Sequence, residues 1–274
     1  MTTRIDTADH ALESKHRALW ALGDYATVAT EIVAPLGPVL VQASGIGAGD
    51  RVLDVAAGAG NVAIPAALTG AHVIASDLVP ELLERGAAIA KTQGAELQWL
   101  EANAEALPFD GDEFDAVLSC VGVMFAPHHQ CAADELVRVC RPGGTIGLIS
   151  WTPEGFIGQM FATMKPYVAA PPPGVQPAPK WGSAEYVRGL LGDGITDFTA
   201  QHRALKVDRF VDGTAFRDFF KAHYGPTISA YRGLADEPDR AAALDAELAE
   251  LGDRHLAGSS AMEWEYLLVT ARKR

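Results

Sequence analysis

Two rhythms of apolar and polar residues alternate along positions 51–150 of this chain. Short continuous apolar runs cover Arg51–Val55, Ala71–Asp77, Leu97–Leu100, Phe114–Ser119 and Thr145–Ser150. Runs of this kind mark strands buried on both faces, as in a parallel sheet covered by helices. Between them apolar residues recur at helical spacing. One helix begins near Val62, and Pro80 fits the first turn of another carrying Leu82 and Leu83. A third runs from about Cys131 to Cys140 and ends at Arg141-Pro142-Gly143-Gly144. Strand and helix in alternation predict a doubly wound, mostly parallel α/β core over 46–151.

The flanks read differently. Residues 1–45 form a helical cap, with Ala18–Leu22, a break at Gly23-Asp24-Tyr25, and an apolar stretch from Val28 to Val41 interrupted by Pro35 and Pro38. After Trp151 comes a proline-rich segment, Ala169-Ala-Pro-Pro-Pro-Gly174 with Pro177 and Pro179, then a helix from Ser183 to Leu191. Phe198–Val207 and Glu263–Ala271 read as two closing strands, which brings the sheet to seven. Helical patterns at Thr214–Tyr231 and Pro238–His255 lie between them, so 152–274 is read as the last strands plus a helical lid over about 212–258.

Composition narrows the partners. The 274 residues carry 35 acidic against 22 basic side chains, a formal charge of −13. Phosphate-backbone binding needs clustered Lys and Arg, so a nucleic-acid partner is not expected. Cys120, Cys131 and Cys140 show no metal-ligand spacing, and Cys131 and Cys140 are read as small buried residues along one helix. Met1–His10 lacks the apolar stretch of a leader, and no apolar run reaches roughly 18 residues. A soluble, cytoplasmic protein with no membrane partner is the expectation.

The candidate chemistry sits at strand ends. Asp54 closes the first strand and leads into Val55-Ala-Ala-Gly-Ala-Gly60, where glycines let a ligand approach the backbone. Asp77 closes the second strand, where a carboxylate can accept both hydroxyls of a ribose. A nicotinamide-dependent oxidoreductase is one alternative, because Gly58-Ala-Gly60-Asn-Val-Ala63 fits G-x-G-x-x-A. Against it, Asp54 precedes the glycines, where it would repel a pyrophosphate but not a cationic ligand.

Taken together, Val52–Gly60, Ser76-Asp-Leu-Val-Pro-Glu-Leu-Leu83, Asn103-Ala-Glu-Ala-Leu-Pro-Phe109, Phe114–Ser119 and Leu136–Gly144 resemble the class I S-adenosylmethionine-dependent methyltransferases, of the small-molecule type related to ubiquinone and menaquinone methyltransferases. The resemblance implies a Rossmann-like fold and S-adenosylmethionine as cofactor. Asp54, Ala56, Gly58 and Gly60 would then face its methionine end. Asp77 would hold the ribose and Leu78 pack on the adenine, with Asn103, Ala104 and Glu105 at the adenine edge. Ser119, Cys120 and Val121 would line the methionine side. Two positions depart from the family pattern: Ala56 replaces its first loop glycine, and Asn103 replaces an aspartate while keeping an acceptor oxygen.

Methyl transfer needs a general base only for a weakly acidic acceptor. His128 and His129, after the fourth strand, are the candidates, although adjacent histidines seldom face one point. They lack a third ligand for a metal, and none is expected. Tyr25 is a candidate cover for the cofactor. Trp151, Phe156, Phe161 and Met164 are read as an apolar acceptor pocket, to which the lid adds Phe216, Phe219, Phe220, His223 and Tyr224. The expected activity is methyl transfer to a small, aromatic or partly apolar metabolite by a monomer or homodimer. A protein that binds S-adenosylmethionine without methylating is a further alternative.

Overall fold

The computed structural model describes residues 7–274; the segment 1–6, and with it most of the leader question, lies outside them. Three N-terminal helices, α1 (Thr7–Ala21), α2 (Tyr25–Val28) and α3 (Leu36–Ser44), are joined by a π-helical turn over Ala29–Val33. The core follows as β1 (Arg51–Val55), α4 (Ala63–Leu68), β2 (His72–Asp77), α5 (Pro80–Gln93), β3 (Gln98–Glu101), β4 (Phe114–Cys120), α6 (His129–Val139) and β5 (Cys140–Trp151). The remainder is α7 (Phe156–Met164), α8 (Ala184–Leu191), β6 (Ile195–Val207), α9 (Gly213–His223), α10 (Gly225–Gly233), α11 (Pro238–Leu256) and β7 (Met262–Lys273).

Local chemistry sets many boundaries. Pro80 opens α5 and left-handed Gly94 closes it. The Ser183 hydroxyl accepts from Tyr186 N–H at the start of α8, and Asp212 does the same for Ala215 at the start of α9. Gly225-Pro226 splits the periodic stretch after 213 into α9 and α10. Cys140 opens β5 instead of closing α6, so Cys131 and Cys140 do not share a helix. Cys131 is exposed and Cys140 buried.

The seven strands form one sheet in the order β3-β2-β1-β4-β5-β7-β6. Neighbours from β3 to β5 are parallel, while β7 runs antiparallel to both β5 and β6. Chain direction across the sheet reverses between β1 and β4, which leaves a crevice at their carboxyl ends. Register fixes its floor: Val55 pairs with Ser76, and Asp54 pairs with both Ala75 and Leu118. No single helix among the described residues is long and apolar enough to cross a membrane.

Candidate active site

A cavity of about 950 Å³ opens over that crevice. The turn after β1 forms its floor. Ala56 (φ 55°), Gly58 (φ 55°) and Gly60 (φ 86°) all adopt left-handed backbone. A Cβ built on Gly58 would meet nothing within 4 Å, so its α-carbon faces open cavity, whereas one on Gly60 would lie 2.6 Å from the Trp99 ring. Gly60 therefore serves close packing and does not line the cavity.

The turn is braced from below. Asp54 is 1% exposed, and its Oδ2 accepts from Ala63 N–H at 2.9 Å. Ser119 Oγ donates to Val55 O at 2.6 Å and accepts from Val123 N–H at 2.8 Å, tying the β1 and β4 loops together. Val121 is held at φ 53°, a conformation that a β-branched residue rarely tolerates and that is concentrated at functional sites.

Asp77 reaches the cavity from the end of β2. Its Oδ2 accepts from Gly58 N–H at 2.8 Å and its Oδ1 from Val79 N–H at 2.9 Å. Each carboxylate oxygen keeps a further lone pair for a ligand. Burial raises the Asp77 pKa above the usual range, opposed by N–H donors from Val79, Gly58 and Leu78 and by Arg17.

Leu78, Ala102, Asn103, Ala104 and Glu105 form the adjoining wall. Asn103 Oδ1 accepts from Glu105 N–H at 2.9 Å, and its Nδ2 donates to Glu13 Oε2 on α1 at 3.1 Å. Its acceptor oxygen thus caps its own turn and keeps one further lone pair on the cavity wall. Glu105 in turn holds His128, accepting from its backbone N–H at 2.5 Å and lying 2.9 Å from its Nδ1.

The rest of the cavity is aromatic. Trp20, Tyr25, Phe125, Trp151, Phe220, Tyr224 and Trp264 line it, with ring centroids 4.5 Å apart for Trp20–Phe125 and 5.7 Å for Tyr25–Tyr224. His16 joins them. Its Nε2 accepts from the Trp20 indole at 3.4 Å, and burial pushes its pKa down to about 4.

Comparison with known proteins decides what this cavity belongs to. Residues 52–144 match the family described as "Methyltransferase domain". A demethylmenaquinone methyltransferase of Clavibacter sepedonicus is 41% identical over 36% of this chain and 40% of its own length. The chain belongs to the class I S-adenosylmethionine-dependent methyltransferases. An uncharacterized protein of Mycobacterium tuberculosis is 58% identical over 98% of the chain and 99% of its own length. The phosphoethanolamine N-methyltransferase 2 of Haemonchus contortus, solved with S-adenosyl-L-methionine, shares the fold with a TM-score of 0.54 at 15% identity, covering 87% of this chain and 52% of that one. This protein is accordingly a methyltransferase, and S-adenosylmethionine is its cofactor.

Several side chains of the methyltransferase lie elsewhere than the sequence suggests. Asp54 and Ser119 brace the floor and do not line the cavity, because both are consumed by backbone partners. His129 is fully buried on the far side of α6. Its Nδ1 lies 2.9 Å from the Tyr186 hydroxyl and its ring packs on Trp181, with a pKa pushed down to about 4 by burial, so it is no base for the cavity. Phe156 stacks on the outer side of Trp264 at 5.1 Å and belongs to the core, with Phe216 against its edge. Phe161 and Phe219 stand behind the lining aromatics, and Met164 accepts from Thr227. His223 packs on Phe219, 4.0 Å from Asp24, and does not line the cavity.

Glu13, His16, Trp20, Phe125 and Trp264 line the methyltransferase cavity without having been singled out from sequence. Leu12, His16 and Trp20 follow at i, i+4 and i+8, one face of α1, and that spacing was the available signal.

Asp54 makes stability depend on pH. Complete burial above all, and then the Asp77 charge, push its carboxyl up to about 8, against the pull of the Ala63 N–H. The unfolded chain titrates this group near ~3.9. Between those values the folded state holds a proton that the unfolded state releases, so stability falls as pH rises from about 4 to about 8. Asp54→Asn keeps an acceptor for Ala63 and cannot ionise. Its melting temperature is expected to exceed the parent's by a margin that widens from pH 5 to pH 8; a margin that does not change with pH contradicts this account.

Proposed function

We propose that this methyltransferase transfers the methyl group of S-adenosylmethionine to a small, aromatic or partly apolar metabolite. The observation that supports this is continuity: one cavity joins the Gly58–Asp77 floor to a chamber walled by seven aromatic rings. At about 950 Å³ it stands at the upper end of the roughly 300–1,000 Å³ usual for one drug-sized ligand, which leaves room for cofactor and acceptor together.

The residues present fit the cofactor. Asp77 has lone pairs for the ribose hydroxyls, and the bare face of Gly58 admits close approach. Ala56, Cys120 and Val121, which line the cavity beside Gly58, would flank the methionine portion, and Leu78 with the Ala104 N–H would meet the adenine. When bound, S-adenosylmethionine supplies a methyl group activated by its sulfonium. The chain's task is then alignment, worth up to roughly 7–11 kcal/mol in favourable intramolecular models, and exclusion of water by the aromatic walls.

Where the acceptor is a hydroxyl, its proton needs a taker. Of the two candidate histidines only His128 lines the cavity, and with Nδ1 turned to Glu105 its Nε2 is the atom that takes the proton. His128→Gln is expected to lower kcat for such an acceptor while the affinity for S-adenosylhomocysteine stays the same; an unchanged kcat removes the role.

The reading is tested by incubating the enzyme with S-adenosylmethionine labelled on its methyl and a panel of acceptors, from phenols and aromatic amines to glycine and polyols. Label on the aromatic members is expected. Label confined to the polar members, or none on any, contradicts it.

A further inference from the structure

We propose that Gln176 is a positioning residue for His128: it clamps the main chain on both sides of that histidine and so fixes how the ring is presented to the acceptor. His128 stands at the N-cap of α6, with non-helical backbone (φ −111°, ψ 89°) and no side-chain cap of its own. The first N–H groups of a helix have no partner within it and must find acceptors elsewhere. Here the acceptors come from two segments distant in sequence. Glu105 accepts the His128 N–H at 2.5 Å and lies 2.9 Å from its Nδ1. Gln176 takes the two flanking residues. Its backbone N–H donates to Pro127 O at 3.1 Å, and its side-chain Oε1 accepts the His129 N–H at 3.3 Å.

The grip of Gln176 is itself held. The Tyr186 hydroxyl on α8 donates to the same Oε1 at 3.0 Å, so both lone pairs of that oxygen are used and the amide's orientation is set. The proline-rich stretch leading to Gln176 also passes the ring. A Cβ on Gly174 would stand 3.9 Å from Cδ2 and Nε2 of His128, and Gly174 adopts φ 91°, which favours a residue without a side chain. A carboxylate only accepts, so Glu105 keeps the ring proton on Nδ1 and leaves Nε2 with its lone pair. That tautomer lasts while the main chain at 127–129 holds the ring against Glu105. A segment outside the matched stretch 52–144 thereby sets the base, through Gln176.

The inference rests on His128 taking the acceptor's proton, and the two are tested so that they fail separately. Protein labelled in its histidine ring nitrogens is followed by NMR above neutral pH, with His128→Gln identifying the His128 signals. A single Nδ1–H tautomer gives two ring-nitrogen signals set far apart. Gln176→Met keeps the length of the side chain and the backbone bond to Pro127 but removes the acceptor oxygen. It is expected to draw the two signals together as the other tautomer becomes populated. With a phenol as acceptor, kcat is expected to fall about fivefold, the net effect of one hydrogen bond, while the affinity for S-adenosylhomocysteine stays the same. Gln176→Glu, whose oxygen still accepts, is expected to restore both. His128 signals unmoved in Gln176→Met, or a kcat that falls only in step with cofactor affinity, overturn the role of Gln176. Full kcat in His128→Gln removes the base role instead, and signals that move even so uphold the hold of Gln176 on the ring.

Discussion

Asp77→Ala is expected to weaken S-adenosylhomocysteine binding by about 3–6 kcal/mol, taking two charge-assisted hydrogen bonds to the ribose at roughly 1.5–3 kcal/mol each. The same carboxylate also carries the Gly58 and Val79 N–H groups, so alanine leaves two backbone donors unpaired and loosens the floor. Asp77→Asn separates the two effects, because its shape and one acceptor oxygen survive while the charge is lost. A smaller but definite weakening is expected for it, with a melting temperature between those of Asp77→Ala and the parent, because its amide nitrogen faces one of the two backbone donors. Removing the Asp77 charge also withdraws one of the influences that raise the Asp54 pKa, so the stability maximum of Asp77→Asn moves to higher pH. Titration calorimetry and melting curves read both. An unchanged affinity in Asp77→Ala rules out the ribose role.

Trp264→Ala is expected to cost about 3–5 kcal/mol of folding stability, the usual range for deleting a large buried aromatic. Trp264 is 1% exposed and is where the sheet meets the helices inserted between β6 and β7. It stacks on Phe156 at 5.1 Å, meets Phe220 at 5.8 Å and Trp151 at 6.0 Å, and its far edge lines the cavity. Those contacts hold α7, α9 and β5 to β7 at once, so little collapse can fill the void. Trp264→Phe keeps most of the ring and is expected to lose far less. Denaturant titration reads the difference; a loss under about 1 kcal/mol in the alanine variant would show that these contacts do not carry the docking of α9.

The sheet was legible where burial was complete. β1, β2 and β4 are continuous apolar runs because helices cover both of their faces, and their boundaries agree with the pattern to within a residue. β5 begins earlier than its apolar run because Cys140 already pairs with Phe114, and the exposed Arg141-Pro-Gly-Gly segment that looks like a loop is carried within the strand. Strand-end positions such as Asp77 were legible because the pleat and the loop length dictate where they point. Asp54 and Ser119 were not, since their partners are backbone groups of neighbouring loops that no local pattern reveals. His128 and His129 show the limit most plainly. They are adjacent in sequence, yet one starts the turn of α6 that faces Glu105 and the other is carried to the opposite side against Tyr186 and Trp181. The acceptor chamber was legible only in part, because Trp20, Phe125 and Trp264 come together from distant segments through the packing of α1 over the sheet.

The most direct test of the account is equilibrium binding by titration calorimetry of the intact protein with S-adenosylmethionine, S-adenosylhomocysteine and NADH in turn. Binding of both sulfur ligands and none of NADH is the result predicted for a chain whose residues 52–144 match the methyltransferase domain and whose cavity joins the Gly58–Asp77 floor to an aromatic chamber. Binding of NADH with no heat from either sulfur ligand would contradict it.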